Sequence, residues 1–298
     1  LVFVEVGGGI RTYTRAGVDV LDGYPQTEMC AGGRGQILVP WPNRLGDGRY
    51  TWGPRTLQLA LTEPDHHNAI HGLVRWANWQ VEAVSDREGR ASHRLHPQSG
   101  WGWILDIRVS YYLDESGLAV TTSVTNAGPE GEGPCPIGIG WHPYLSAFGG
   151  RVDDAVLTLP AATGYRTDER GLPVGCFDVA GTDLDFTTGR RIGSAVLDTA
   201  FTDLSRDAAG RSWVELAASA SAQADAHSPV WMWLDEAYTH LMVFSGDTLG
   251  DLSRRRRGLA VEPMTCAPDA FRSGDGLQSL ELGQTLTASW GLADSRAG

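Results

Sequence analysis

The chain has 298 residues, 42% of them hydrophobic, and a formal net charge of −12. That is enough apolar material for a sizeable core, and the wrong sign of charge for a nucleic-acid or anionic-membrane partner. No apolar run approaches the ~18 residues of a membrane span, and all 24 basic residues are arginine, which excludes Schiff-base chemistry and covalent pyridoxal phosphate, since both need a lysine amine. In chain order, Leu1-Val2-Phe3-Val4-Glu5-Val6 already reads as strand, without an initiating methionine. Gly7-Gly8-Gly9 and Gly32-Gly33-Arg34-Gly35 lack the strand-to-helix context and the lysine of a phosphate loop, and are expected as tight strand connections. A hairpin turn is expected at Gly46-Asp47-Gly48, ahead of Tyr50-Thr51-Trp52. Residues 108–113 are aromatic and β-branched and residues 118–125 alternate with period two, which predicts a hairpin with a four-residue loop over 114–117. The Gly-, Pro- and Glu-rich stretch 126–136 suits a surface loop, and the alanine-rich 217–226 lacks an apolar stripe and reads as loop or strand edge. Further strands are expected at 230–234, 240–244 and 285–290, and the four arginines 254–257 are expected on a solvated loop. Many short strands with frequent turns, scarce helical periodicity and no repeat or linker predict an all-β sandwich or barrel in a single domain over 1–298.

Cys30, Cys135, Cys176 and Cys266 are far apart and form no CxxC pair. Zinc and redox motifs are therefore unsupported, and reduced thiols in a cytoplasmic protein are the expectation. His67 and His71 are four apart, but Pro64 and Gly72 argue against the helix that would turn them into a metal pair, so no metal site is expected.

Three clusters carry the chemistry: Pro40-Trp41-Pro42-Asn43-Arg44-Leu45-Gly46 with His71-Gly72 downstream, Gly140-Trp141-His142-Pro143-Tyr144-Leu145, and Val261-Glu262-Pro263-Met264-Thr265 running on to Pro268-Asp269-Ala270-Phe271. His142 and Glu262 each precede a proline, which biases their backbones to the extended region. A strand residue held this way presents its side chain with little freedom, as a general acid or base requires.

These motifs, in this order and spacing, resemble the aldose 1-epimerase (galactose mutarotase-like) family over nearly the whole chain, from Val6-Gly7-Gly8-Gly9 to Trp290-Gly291. The resemblance implies a β-supersandwich of large antiparallel sheets with an open cleft on one sheet. It implies interconversion of the α and β anomers of a free monosaccharide, with no cofactor and no metal. Glu262 matches the family's base and His142 its acid. Arg44 and His71 match the residues that hold the ring and its hydroxyls, Asp198 matches the hydroxyl-binding aspartate, and Asn43 and Trp41 sit in the same motif. Trp41, Trp79 and Trp141 are candidates to stack on a pyranose, although most tryptophans are expected in the core. Acid and base together imply a bell-shaped pH dependence with one limb from each. Gly72-Leu73, Trp141-His142-Pro143-Tyr144 and Glu262-Pro263-Met264 depart from the galactose mutarotase pattern beside the catalytic positions, which leaves the sugar open. A catalytically silent sugar-binding module is the alternative from another class. A mutarotase for phosphorylated or sulfonated sugars is another alternative, with Arg34, Arg75 or the 254–257 run as the extra cations. Monomer and homodimer both remain compatible.

Overall fold

The computed structural model describes residues 1–218 and 229–296. Of the alanine-rich stretch, only Ala217 and Ala218 fall within these, at the end of the strand Ser212–Ala218; the remainder lies outside the described residues. The architecture is the β-supersandwich. One sheet has nine antiparallel strands, in the order Gln80–Ala83, Glu88–Leu95, Ile104–Asp114, Gly117–Gly128, Thr285–Ala293, Val230–Leu234, Ser212–Ala218, Ala155–Thr158 and Arg190–Arg191. The other has eight. Its order is Pro173–Asp178, Ala161–Thr167, Asp198–Leu204, His240–Phe244, Gly258–Met264, Gly140–Trp141 and Ile37–Leu38, and Tyr144–Ser146 also pairs with Gly258–Met264.

Period-two patterning explains the nine-stranded sheet. In Gly117–Gly128, Leu118, Val120, Thr122 and Val124 are buried, while Thr121, Ser123 and Thr125 face out. The outward hydroxyls bond across the ladder to Ser289, Thr287 and Thr285 at 3.0, 3.0 and 2.8 Å. Buried Thr122 accepts from the indole Nε1 of Trp141 at 2.9 Å, so neither polar group is orphaned in the core.

The eight-stranded sheet positions the site through its fully buried inner strand Gly258–Met264. Leu259 and Val261 face the main core, with Leu241 and Val243 beside them. Alternation sends Ala260, Glu262 and Met264 to the other face, where Met264 and Met242 form a small separate cluster with Tyr165, Ala200 and Ala267. A cavity opens on that outer face.

Three local expectations need correction. The hairpin ladder at 104–128 closes as far as Asp114↔Gly117, so its loop is only Glu115 and Ser116. Asp114 Oδ1 accepts the Ser116 amide at 2.8 Å and caps the turn. At Gly46-Asp47-Gly48 the chain does turn, with φ of 57° at Asp47 and 58° at Gly48, but the flanking strands diverge. Arg44–Gly46 pairs with Asn68–Ile70, and Arg49–Trp52 pairs with Arg55–Gln58. The Asp47 amide bonds His67 O at 3.0 Å and its carboxylate bonds Arg170 at 2.9 Å, which draws the first strand away. In the run 254–257 the first three arginines are staples, and only Arg257 has the exposed side chain of a solvated loop. Arg254 bonds Asp22 at 3.2 Å and Arg255 bonds Leu249 O at 2.7 Å. Arg256, 7% exposed, bonds Asp153 at 3.0 Å, Asp247 at 2.9 Å and two backbone carbonyls.

Arg256→Ala is therefore expected to cost about 2–3 kcal/mol, because it strips charge-assisted bonds from two partly solvated carboxylates. Arg257→Ala, on an exposed side chain, is expected to stay within about 0.5 kcal/mol of wild type. Urea denaturation of both variants decides this, and equal midpoints would show that Arg256 is not a staple.

Candidate active site

A two-stranded ribbon delivers the first group of side chains. Pairing of Arg44 with Ile70 brings the 43–46 and 68–71 segments together, and the His71 amide bonds Asn43 O at 2.9 Å. Asn43 and His71 both adopt left-handed backbone, with φ of 56° and 64°. Such conformations are uncommon outside glycine, though Asn and His tolerate them better than most. They turn both side chains off the ribbon towards the cavity. Asp269 ties the ribbon to the strand that carries Glu262: its amide bonds Arg44 O at 2.8 Å and its Oδ1 accepts from the Gly46 amide at 2.9 Å. Phe271, two residues on, packs against Trp41 and Tyr50 with centroids 5.5 and 5.0 Å apart.

His142 enters from the neighbouring strand. Its amide bonds Gln36 O at 3.1 Å, and its carbonyl accepts from the Gly35 amide at 2.9 Å. The ring stacks on Tyr144 at 5.1 Å with an interplanar angle of 9° and meets His71 edge-on at 5.3 Å. Gly33 lies against it: a β-carbon there would come within 2.5 Å of His142 Cδ2. The Gly32-Gly33-Arg34-Gly35 run is thus a close-approach segment that leaves room for the imidazole.

The cavity has a volume of about 250 Å³, in scale with a ligand smaller than a drug-sized molecule. Asn43, Arg44, His71, His142, Asp198 and Glu262 all line it. Trp41 does not: at 3% exposed it is spent on the aromatic cluster around Phe271. Trp79 and Trp141 are likewise core, at 2% and 0%. The indole at the cavity belongs to Trp76, 43% exposed. Glu63 also lines the wall, without any motif in the sequence to mark it. It binds Arg44 in a fork, receiving Nε at 2.9 Å and Nη2 at 3.0 Å. Burial disfavours both charges, but the pairing outweighs it, so Arg44 is raised and Glu63 lowered relative to their ordinary values.

At the floor of the cavity, His142 Nε2 lies 3.2 Å from Glu262 Oε1, with the two residues 5% and 2% exposed. Glu262 Oε2 and the Nδ1 atoms of His142 and His71 have no protein partner. Burial pushes the His142 imidazole down to about 3 and the Glu262 carboxyl well above its ordinary value, with the Asp198 charge adding to the latter. His71 is pushed down by burial and by its neighbours His142, Arg75 and Arg44. His142 and Glu262 therefore face each other as two groups that each resist charge. His67, by contrast, points to Asp47 at 2.9 Å and stays largely exposed, so it and His71 part company. The histidine that does approach His71 is His142: one ligand atom from each of His71, His142 and Glu262 fits within 4.8 Å of the others.

A supersandwich with such a cavity on the outer face of one sheet is galactose mutarotase-like in class. The family model described as aldose 1-epimerase matches residues 1–292, and the chain belongs to that family. It is similar to YihR of Escherichia coli strain K12, a protein named as uncharacterized, with 33% identity over 282 residues, 94% of this chain and 85% of that protein. Among solved structures it is similar to the GalM/aldose epimerase homologue from C. elegans, with a TM-score of 0.82 and 16% identity over 98% of this chain and 94% of that one. It is also similar to a galactose 1-epimerase from Lactobacillus acidophilus, with a TM-score of 0.77 and 19% identity over 97% and 89%. At these identities the structural likeness bears on the fold.

Proposed function

We propose that the protein is a mutarotase that interconverts the α and β anomers of a free aldose by acid–base ring opening and closure. The observation that carries this reading is the buried contact between His142 Nε2 and Glu262 Oε1, 3.2 Å apart, in a polar cavity of a family member. Mutarotation acts on two oxygens of one carbon: O1 loses a proton while O5 gains one. Groups serving geminal oxygens have to be close together, and these two are. The Glu262 carboxylate takes the O1 proton as the His142 imidazolium protonates O5. The C1–O5 electrons leave with O5 and C1=O1 forms. The open aldehyde turns about C1–C2, O5 adds to the other face, and both protons return. Each general catalyst supplies typically ~10²–10⁴-fold. The paired Arg44 and Glu63, with Asp198, Asn43 and His71, supply donors and acceptors for the hydroxyls, and Trp76 offers a ring for the apolar face of the sugar.

The reactive form is the single-proton state written with the charge on His142 and the carboxylate on Glu262. It is a tautomer of the neutral pair that burial favours, so both belong to one protonation state of the pair. Acid removes that state only by adding a second proton, which His142 resists down to about 3. Base removes it only by taking the last proton, which raised Glu262 resists. The rate is therefore expected to form a broad plateau, with the low limb far below the ordinary histidine value and the high limb well above the ordinary glutamate value. Anomer-exchange NMR against pH tests this. A half-loss of rate centred near ~6.5, where a free imidazole titrates, would show that His142 acts alone.

Glu262→Gln keeps the size of the side chain and removes the base. Sugar affinity is expected to hold within about threefold while exchange falls at least ~10²-fold. Arg44→Ala removes a positioning contact, and affinity and rate are expected to fall together, by roughly tenfold or more in affinity. Calorimetric titration with exchange NMR on both variants separates the two effects. Wild-type exchange in Glu262→Gln would refute the mechanism. A wild type that binds sugar and never speeds exchange would favour the silent binding module.

One observation favours an anionic sugar as a second reading. Arg34 is consumed by Asp22, at 3.1 Å, and by the ring of Tyr144, at 4.3 Å, and Arg254 is bound to the same aspartate at 3.2 Å. Arg75 also lines the cavity, and among the described residues its guanidinium has no carboxylate partner, only the Trp76 ring at 5.5 Å. Burial lowers its pKa, and the charges of Cys30 and Glu63 offset only part of that. On this reading Arg75→Ala is expected to cut exchange of 6-phospho- or 6-sulfo-aldoses by about tenfold or more and to change that of neutral hexoses less than about threefold. Equal losses on both classes would remove the reading.

A further inference from the structure

We propose that His71, His142 and Glu262 form a binding site for one divalent transition-metal ion of the zinc type, and that the ion reversibly blocks the reaction proposed above. Binding itself does not depend on that reading; only the block does.

Three observations point to the site. First, one ligand atom from each residue falls within 4.8 Å of the others, although the three come from separate segments: the end of the 68–70 strand, the strand preceding Pro143, and the inner strand of the sheet. Tetrahedral zinc, with bonds of ~2.0–2.2 Å, sets its ligand atoms about 3.3 Å apart. His142 Nε2 and Glu262 Oε1 already stand at 3.2 Å, so only the His71 side has to close in. Second, the three side chains are 7%, 5% and 2% exposed, and at the site His71 Nδ1 and Glu262 Oε2 have no protein partner, while the orphan nitrogen of His142 is Nδ1 and not the Nε2 that faces Glu262. Buried polar atoms without partners are uncommon and mark places where something else binds. Third, the His142 ring is held: it stacks on Tyr144, lies against Gly33 and meets His71 edge-on, so little of its side-chain entropy is left to lose.

The ligand type sets the metal. Two imidazoles and one carboxylate suit zinc, nickel or copper, whereas magnesium and calcium ask for oxygen donors. Three protein ligands leave a fourth tetrahedral position, and the cavity is where it points, so water or a sugar oxygen completes the sphere. An ion in place engages the His142 nitrogen that would protonate O5 and the Glu262 oxygen that would take the O1 proton. Exchange stops until the ion leaves.

The test uses the whole chain, treated with chelator and then titrated with ZnCl2 in a calorimeter without sugar. One ion per chain is expected to bind at micromolar concentration or below, with Mg²⁺ and Ca²⁺ giving no heat. Co²⁺ is expected to develop the visible absorption of a tetrahedral site. Aldose exchange by NMR is expected to fall at least tenfold on saturation with Zn²⁺ and to return with EDTA. His71→Asn tolerates the left-handed backbone, Glu262→Gln keeps the side-chain shape, and each is expected to weaken Zn²⁺ binding at least tenfold. Cys176→Ser, which removes the exposed thiol, is expected to leave binding unchanged. Absence of a stoichiometric site in the wild type, or undiminished affinity in both ligand variants, would overturn the proposal. Metal binding without any exchange activity would leave the site standing and count against the mutarotase reading alone.

Discussion

A carboxyl group buried to 2% exposure costs several kcal/mol if it ionises without compensation, and Glu262 sits in an inner strand of the cavity sheet that is buried along its whole length. Arg44 offsets only part of that penalty, and the neighbouring His142, 3.2 Å away, is itself buried. Burial disfavours charge on both Glu262 and His142, and neither has another protein partner on its free polar atom. Much of the surrounding structure serves to hold these two groups in place. Pro143 and Pro263 hold the strand ends extended, Gly33 makes room for the ring, and Tyr144 supplies a stacking surface.

The second layer is the Arg44–Glu63 fork on its ribbon. Here the charges are compensated, so burial rigidifies rather than activates. The ribbon owes its position to Asp269, and Asp269 follows Glu262 by only seven residues. A single segment therefore carries the buried carboxyl and anchors the wall opposite to it. That linkage gives the Glu-Pro-Met-Thr to Asp-Ala-Phe motif a physical meaning: one end carries the buried carboxyl, and the other ties it to the ribbon of Arg44.

Strand existence was legible from period two at Gly117–Gly128 and from short apolar runs at Val230–Leu234 and His240–Phe244. Partners were not. The turn at Gly46-Asp47-Gly48 has the composition of a hairpin, yet contacts from His67 and Arg170 send its strands to different neighbours. The arginine run had the look of a solvated loop because composition does not reveal the carboxylates of Asp22, Asp153 and Asp247 that wait for it. The same limit misassigned the aromatic side chain: Trp41 lies in a motif, but Trp76 lies at the cavity.

From the sequence alone came the all-β class, the exclusion of lysine chemistry, and the identity of six cavity residues, Asn43, Arg44, His71, His142, Asp198 and Glu262. The first two follow from local alternation and from residue type; the cavity residues follow from contiguous motifs through their resemblance to the family's. Only the tertiary structure decided that His142 and Glu262 touch, that both resist charge, that Glu63 takes up Arg44 while Arg75 is left without a carboxylate, and that His71 turns to His142 instead of His67. The physical reason is range. Alternation and turn chemistry act over a few residues, whereas desolvation and ion pairing depend on which distant segments the two sheets bring against one another.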